Sequence, residues 1–278
     1  MAISKILSKD FVLAFFAQFA LSVASFSFIP TLPIYLARLG SKETEIGLLI
    51  GVYSVASLIV RPLVGRSLLK TPERGYLTAG ALLFTLSSIA YFFSPPFWPF
   101  LAVRVFQGIG LAFFYTASTT LIANISPEAH RGQSLSYFLL TFNLAFVLAP
   151  SLGMFLINQF GFPVLFFFCS GVSFCALLLT IRIRRRDPDP VEGPLPGGGS
   201  LLNREVLQPS VMAFFTHMIW GALTAFFPLY AVEQGVANPG FFFAVFAIML
   251  VLGRTLVRVP GRGSMEAMVR VTEQAIRA

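Results

Sequence analysis

The sequence predicts an all-α, polytopic membrane protein, and three observations carry that reading. Eight apolar runs follow one another along the chain, most of them long enough to cross a hydrocarbon core about 30 Å thick. The composition is 56% hydrophobic and only 12% charged, with a mean hydropathy of +0.80; soluble domains carry about 25% charged residues. Basic residues also crowd onto alternate connections between the runs.

Met1–Asp10 is short and polar, with Lys5 and Lys9. Phe11–Leu36 is the first span; it is too long for the core of a cleaved signal and lacks a cleavage site. Gln18, Ser22 and Ser25 share one of its faces, and Pro30 and Pro33 bend or end it near its far side. Arg38–Glu45 is a charged loop. Ile46–Val60 is the second span, where Gly47 and Gly51 form a small-xxx-small pair expected to admit a close helix neighbour. Arg61–Arg74 is a basic loop holding Arg61, Arg66, Lys70 and Arg74. Tyr76–Phe93 is the third span, Ser94-Pro95-Pro96 a tight turn, and Phe97–Ala123 the fourth span. Asn124–Gln133 is polar and contains Arg131. Ser134–Ile157, the fifth span, places Asn143 and Pro150 on one face, and Pro163–Ile181 is the sixth. Cys169 and Cys175 lie too far apart on that one helix to bridge and read as small core residues.

Composition then changes sharply. Arg182, Arg184, Arg185 and Arg186 precede a Pro/Gly/acidic stretch that reads as a flexible linker outside the membrane. Val211–Val232 is the seventh span, with His217, Trp220 and Thr224 on one face. Phe241–Gly253 is a short eighth. A polar tail follows, in which Met265–Ile276 reads as an amphipathic helix. The expected organisation is a six-helix bundle over residues 1–186, a cytoplasmic linker over 187–208, two helices of a second, incomplete bundle over 209–257, and a cytoplasmic tail over 258–278.

Charge sets the orientation. With the N-terminus cytoplasmic, seventeen of the 20 Lys and Arg lie in cytoplasmic segments, Arg38 and Lys42 lie outside, and Arg104 lies within a span. That asymmetry satisfies the positive-inside rule. A net charge of +8 would also suit a nucleic-acid binder, but basic residues concentrated seventeen to two on one membrane side exclude that class.

Arg104 is the most informative residue. It sits in Phe100–Ala112, apolar on both sides, and an arginine in hydrocarbon costs about 2.5–3.5 kcal/mol on insertion scales. It must face a bundle interior or a watery cavity, or snorkel to a carbonyl. Helical spacing puts Arg104, Gln107, Leu111, Tyr115 and Ser118 on one stripe, with Thr119 at its edge, as a solute pathway requires. Gly108 and Gly110 let a neighbouring backbone approach. Gln18 and Asn143 need hydrogen-bond partners, either across helices or from a solute. All twelve acids lie in loops, tails or span ends. His217 is then the titratable candidate within a span besides Arg104, suited either to proton exchange or to an interhelical hydrogen bond. Trp220 either packs or lines a cavity. No nucleophile–base pair, metal-ligand spacing or phosphate loop is present, so neither an enzyme nor a metal or cofactor site is expected.

Two segments echo each other. Pro33-Ile34-Tyr35 with Gly40 corresponds to Pro228-Leu229-Tyr230 with Gly235. Gly47, Val52, Arg61, Leu63 and Val64 correspond to Gly240, Val245, Arg254, Leu256 and Val257. Spans seven and eight thus repeat spans one and two, the parallel duplication from which two-halved transporters are built.

With these residues in place, the chain from about residue 8 to 258 resembles the major facilitator superfamily of secondary transporters. Arg104-Val105-Phe106-Gln107-Gly108-Ile109-Gly110 is similar to the family's fourth-helix motif, whose arginine is linked to proton coupling and the substrate pathway. The Arg61–Arg74 loop, with Gly65, Arg66 and Arg74, stands where the family carries its gating signature. Pro127–Gly132, with Arg131, resembles the loop between helices four and five. Ala149-Pro150-Ser151-Leu152-Gly153 is similar to the fifth-helix motif of proton-coupled exporters, with Pro150 and Gly153 as its kink and packing positions. Leu69 replaces the acid of the gating signature, Ala149 replaces a glycine, and eight spans stand against the family's twelve. The resemblance implies a small-molecule transporter of the cell membrane working by alternating access, of the drug or sugar export type and proton-coupled. The other readings are uptake of an anionic metabolite drawn by Arg104, or a truncated chain that does not transport and either degrades or dimerises to cover its polar faces.

Orientation has a direct check. With Cys169 and Cys175 replaced by alanine, single cysteines placed between Asp187 and Ser200 are expected to react with an impermeant thiol reagent only after cells are permeabilised. Labelling of intact cells contradicts an N-terminus inside.

Overall fold

The computed structural model describes residues 7–95, 97–185 and 204–256. Most of the expected linker and the whole 258–278 tail, with its Met265–Ile276 segment, lie outside the described residues, as does the side chain of Arg254. The described chain forms helices α1 (Lys9–Arg38), α2 (Glu43–Ser67), α3 (Glu73–Phe93), α4 (Trp98–Ile125), α5 (Arg131–Gln159), α6 (Phe162–Arg182), α7 (Arg204–Glu233) and α8 (Gly240–Leu256), with a 3₁₀ turn at Glu128–His130. Seven of these helices are long and apolar enough to span a bilayer. The eighth, α8, has 17 residues and a length of about 26 Å at 1.5 Å per residue, just short of the core thickness.

The helices outrun the apolar runs. Arg61 and Arg66, expected in a loop, lie on α2, which continues through Pro62 to Ser67. Arg131 is the first residue of α5. Beyond the hydrocarbon a helix still satisfies its own backbone hydrogen bonds, so arginines, which are good helix formers, extend it at little cost. The ends carry local caps: Ser8 Oγ accepts from Phe11 N at 3.2 Å at the start of α1, and Glu45 accepts from Lys42 N at 2.9 Å before α2.

The duplicated segments end their helices alike. After α1, Leu39 N donates to Tyr35 O, Gly40 N to Ala37 O and Ser41 N to Leu36 O; after α7, Gln234 N donates to Tyr230 O, Gly235 N to Val232 O and Val236 N to Ala231 O. Gly40 and Gly235 have φ of +81° and +80°, the left-handed stop that glycine makes without strain.

Helices α1 to α6 pack together, α1 against α5 and α6, α4 against α2 and α3, and α3 against α6. Tyr91, fully buried, sits among Phe28, Phe100 and Phe166 with centroids 5.5, 4.7 and 5.9 Å away, joining α3 to α1, α4 and α6. α7 rests on α1 and α2, and α8 on α5. Large apolar side chains such as Leu58, Leu63, Phe93 and Phe167 point outward, where a spanning protein meets lipid. Close approach is made at glycines. A Cβ on Gly108 would lie 2.4 Å from Tyr53 O, one on Gly80 2.6 Å from Gly110 O, and one on Gly153 2.6 Å from Ser27 O. Gly51 does not take the packing role its spacing indicated: nothing lies within 4 Å of a Cβ there, because α2 turns the face bearing Tyr53, not Gly51, to α4.

Gly108→Ala is therefore expected to destabilise the protein by about 1–3 kcal/mol through forced separation of α2 and α4. Gly51→Ala, in open space, is expected to be neutral or stabilising by up to about 1 kcal/mol. Denaturant titration in mixed micelles compares them; equal midpoints contradict the packing described.

Candidate functional site: a buried polar chain

Arg104 is buried on α4 with its guanidinium directed at α2. Nε donates to Leu49 O at 2.9 Å, one Nη to Ile50 O at 3.2 Å, and the other to Gln107 Oε1 at 2.9 Å. The guanidinium carbon lies 4.6 Å from the centre of the Tyr53 ring. Hydrogen bonds to a charged group contribute about 1.5–3 kcal/mol each, and a desolvated cation over an aromatic ring about 2. Together they offset the insertion cost without a carboxylate. Gln107 Oε1 also accepts from Tyr91 OH at 2.5 Å, extending the chain to α3.

A second set of bonds ties α4 to α1. Gln18 is fully buried. Its Oε1 accepts from Ser118 Oγ at 2.8 Å, and its Nε2 donates to Ser22 Oγ at 3.0 Å. Ser22 Oγ lies 3.3 Å from Tyr115 OH, and Ser25 Oγ lies 3.2 Å from Tyr53 OH. Tyr53 thus touches both sets, with its hydroxyl toward α1 and its ring under Arg104. The result is one polar assembly shared by α1, α2, α3 and α4 at membrane depth. Tyr53 and Tyr91 are absent from the sequence-derived site. Their signal was available, since a tyrosine within a span must find its hydroxyl a partner.

The other candidates lie at or beyond the edge of this assembly. Asn143 is half-buried on α5 and makes no side-chain hydrogen bond among the described residues. Tyr115 and Thr119 are half-buried as well. Trp220 of α7 stacks on Phe246 at 4.8 Å and meets Phe146 of α5 at 5.7 Å. His217 is exposed on α7, three residues before Trp220.

At the linker-side end, Arg74 donates from Nη2 to Ile181 O at 2.7 Å and Arg131 from Nε to Ala123 O at 2.9 Å. Both carbonyls lie in the last turns of their helices, where cations are favoured. Gly65 and Arg66 are exposed there. Glu73 is buried and accepts from Asn124 Nδ2 at 2.6 Å. At the opposite end, Asn158 Nδ2 donates to Ala237 O at 2.7 Å and Asn238 Nδ2 to Ser151 O at 3.3 Å. A Cβ on Gly240 would lie 2.5 Å from Pro150 O, so α8 begins in contact with the α5 backbone. Among the described residues no group of His, Cys, Asp and Glu has the geometry to hold a metal.

Residues 14–266 match the model of the Major Facilitator Superfamily. The staphylopine export protein of Staphylococcus aureus (strain Mu50 / ATCC 700699) is 26% identical over 240 residues, 81% of this chain and 59% of that protein. The quinolone resistance protein NorA of Staphylococcus aureus is 25% identical over 175 residues, 63% of this chain and 45% of that protein. An uncharacterized MFS-type transporter of Methanocaldococcus jannaschii is 24% identical over 80% of this chain and 61% of its own length. The chain spans about half the length of these curated relatives. A POT family transporter solved with 5-aminolevulinic acid superposes with a TM-score of 0.56 at 16% identity, over 81% of this chain and 47% of that one; at that identity the likeness concerns the fold.

The Gln18–Ser118 bond has a measurable size. Interhelical hydrogen bonds in membranes average about 0.6 kcal/mol in double-mutant cycles. A cycle with Gln18→Ala and Ser118→Ala, read by unfolding in mixed micelles, is expected to give a coupling of that order. Additive single effects contradict the bond.

Proposed function

The chain belongs to the Major Facilitator Superfamily, and we propose that it acts as a secondary transporter carrying a small molecule outward across the cell membrane by alternating access. The observation that carries the reading is the polar assembly buried in α1–α4. Polar and charged groups at that depth are costly and mark solute pathways. Arg104, Gln107 and Gln18 act as its frame, since their polar atoms are engaged by neighbouring helices. The half-buried Tyr53, Tyr115, Thr119 and Asn143, with Trp220 from α7, are the side chains that meet the solute. His217 exchanges the coupling proton.

Two things favour export over uptake of an anion. Relatives named for staphylopine export and quinolone resistance are similar over most of this chain. Nε and both Nη groups of Arg104 also already donate to α2 carbonyls and Gln107, which lessens what the guanidinium offers an anion. Alternation is supported by the contacts at Asn158–Ala237, Asn238–Ser151 and Gly240–Pro150, which draw α8 and its preceding loop onto α5 at one end of the molecule. With the N-terminus inside, that end is external, and these contacts support closure toward the outside.

The test is flux. Purified chain in liposomes with an imposed pH gradient is expected to move a lipophilic fluorescent dye. Arg104→Leu abolishes the movement while the protein is retained, and Arg104→Lys restores it partly, because lysine lacks the planar fork. Flux unchanged in Arg104→Leu overturns the assignment of Arg104, and absence of flux in the unmodified chain overturns transport by this chain alone. A disulfide between Asn158→Cys and Ala237→Cys is expected to stop flux until it is reduced; flux through the oxidised protein contradicts opening at that end.

A further inference from the structure

We propose that a groove between α3, α4 and α6 binds an anionic glycerophospholipid, its phosphodiester at the linker-side end of the bundle and an acyl chain along the groove wall. The groove has a volume of about 830 Å³ and is lined at its mouth by Thr71, Arg74 and Arg185. Its wall includes Tyr76, Ala79 and Leu82 of α3 and Phe113 of α4. From Gly75 to Leu82 the helix rises roughly 10 Å, so the groove descends from the level of the loop into the depth of lipid chains.

The local structure suits that occupant. Arg74 donates from Nη2 to Ile181 O at 2.7 Å, which holds its guanidinium at the mouth and uses one of five donors. Tyr76 meets the Phe113 ring edge-on at 5.2 Å, closing the floor with aromatic surface. Gly75 leaves the rim open, with nothing within 4 Å of a Cβ position. No carboxylate is among the described lining residues. Glu73, two positions before Gly75, is buried and turned to Asn124 of α4. Leu82 and Ile181 are more than one-third exposed, as expected of a face that meets lipid. Basic pockets between spanning helices on the cytoplasmic side select anionic headgroups. The shared chemistry is a phosphate group, but free phosphate makes no use of an apolar wall, so the lipid is the occupant. The site is separate from the polar assembly and stands whatever the direction of transport.

The experiment is native mass spectrometry of the detergent-purified chain incubated with equimolar phosphatidylglycerol and phosphatidylcholine. Each basic residue near an anionic surface contributes about a fivefold preference, so phosphatidylglycerol, the anionic lipid, is expected to dominate the adducts by at least that factor. Arg74→Gln with Arg185→Gln is expected to bring the ratio near one. Ala79→Trp, which fills the wall and keeps both arginines, is expected to reduce adducts of both lipids, and serves if the double variant aggregates. Equal retention of the two lipids by the unmodified chain overturns the proposal. So does a preference that survives both sets of changes. Displacement of phosphatidylglycerol by millimolar inorganic phosphate, with Ala79→Trp behaving as the unmodified chain, identifies a free-phosphate site and overturns the lipid assignment.

Discussion

The structure depends on one constraint: a guanidinium placed among spanning helices with no acid to pair with among the described residues. Arg104 meets it by bonding two consecutive carbonyls of α2, Leu49 and Ile50. Those carbonyls come within reach because α4 lies directly on the α2 backbone, and α4 can lie there because residue 108 is a glycine. Gln107 then accepts from both Arg104 and Tyr91, so the packing of α3 is tied to the same point. Any movement of α2 relative to α4 must either carry Arg104 along or break two charged hydrogen bonds in a medium with no water to replace them. This makes α2 and α4 a mechanical unit and places flexibility elsewhere.

α1 is the natural counterpart. Besides aromatic packing through Phe26, Phe28 and Tyr35, its polar contacts with the rest of the bundle are neutral: Gln18 and Ser22 toward α4, Ser27 Oγ to Ala149 O of α5 at 3.2 Å, and Cys169 Sγ of α6 to Ala24 O at 3.6 Å. Neutral hydrogen bonds of this kind are individually weak in membranes. The cation therefore binds α4 firmly to α2, while hydroxyls and amides bind α4 and α5 to α1 by contacts that exchange at lower cost. The large aromatic residues around Tyr91 fill the space between α1, α3, α4 and α6 without adding polar groups that would need partners.

Much of this was legible in the sequence. Each span was visible because apolar runs have no other stable use at that length, and the polar face Gln18–Ser22–Ser25 and the stripe Arg104–Gln107–Tyr115–Ser118 follow from helical spacing alone. Spacing tells which side of a helix is polar but not which helix lies opposite. That is why Tyr53 and Tyr91, the partners of Arg104 and Gln107, were missed, and why Gly51 looked like a packing glycine while Gly80 did not. The helix ends were misread where polar residues extend α2 and α5 beyond the bilayer, since hydropathy reports the solvent and not the backbone. One pairing of the repeat has a counterpart in the backbone: Gly40 and Gly235 were paired by sequence and share one backbone conformation.

That pairing constrains how the parts meet. α1 and α7 are equivalents in the repeat, and they touch each other. Two equivalent helices in mutual contact would lie on opposite sides of an axis relating them, and a repeat axis would then pass between α1 and α7. The half-buried Tyr53 and Tyr115, bonded to the Ser25 and Ser22 hydroxyls of α1, belong to its first-repeat side. Trp220 on α7 belongs to the other. A solute bound at such an axis would meet weakly held hydroxyls on one side and an aromatic surface on the other, with Arg104 one layer behind. The cation would then act on the solute through Tyr53, whose ring it covers and whose hydroxyl it leaves to α1.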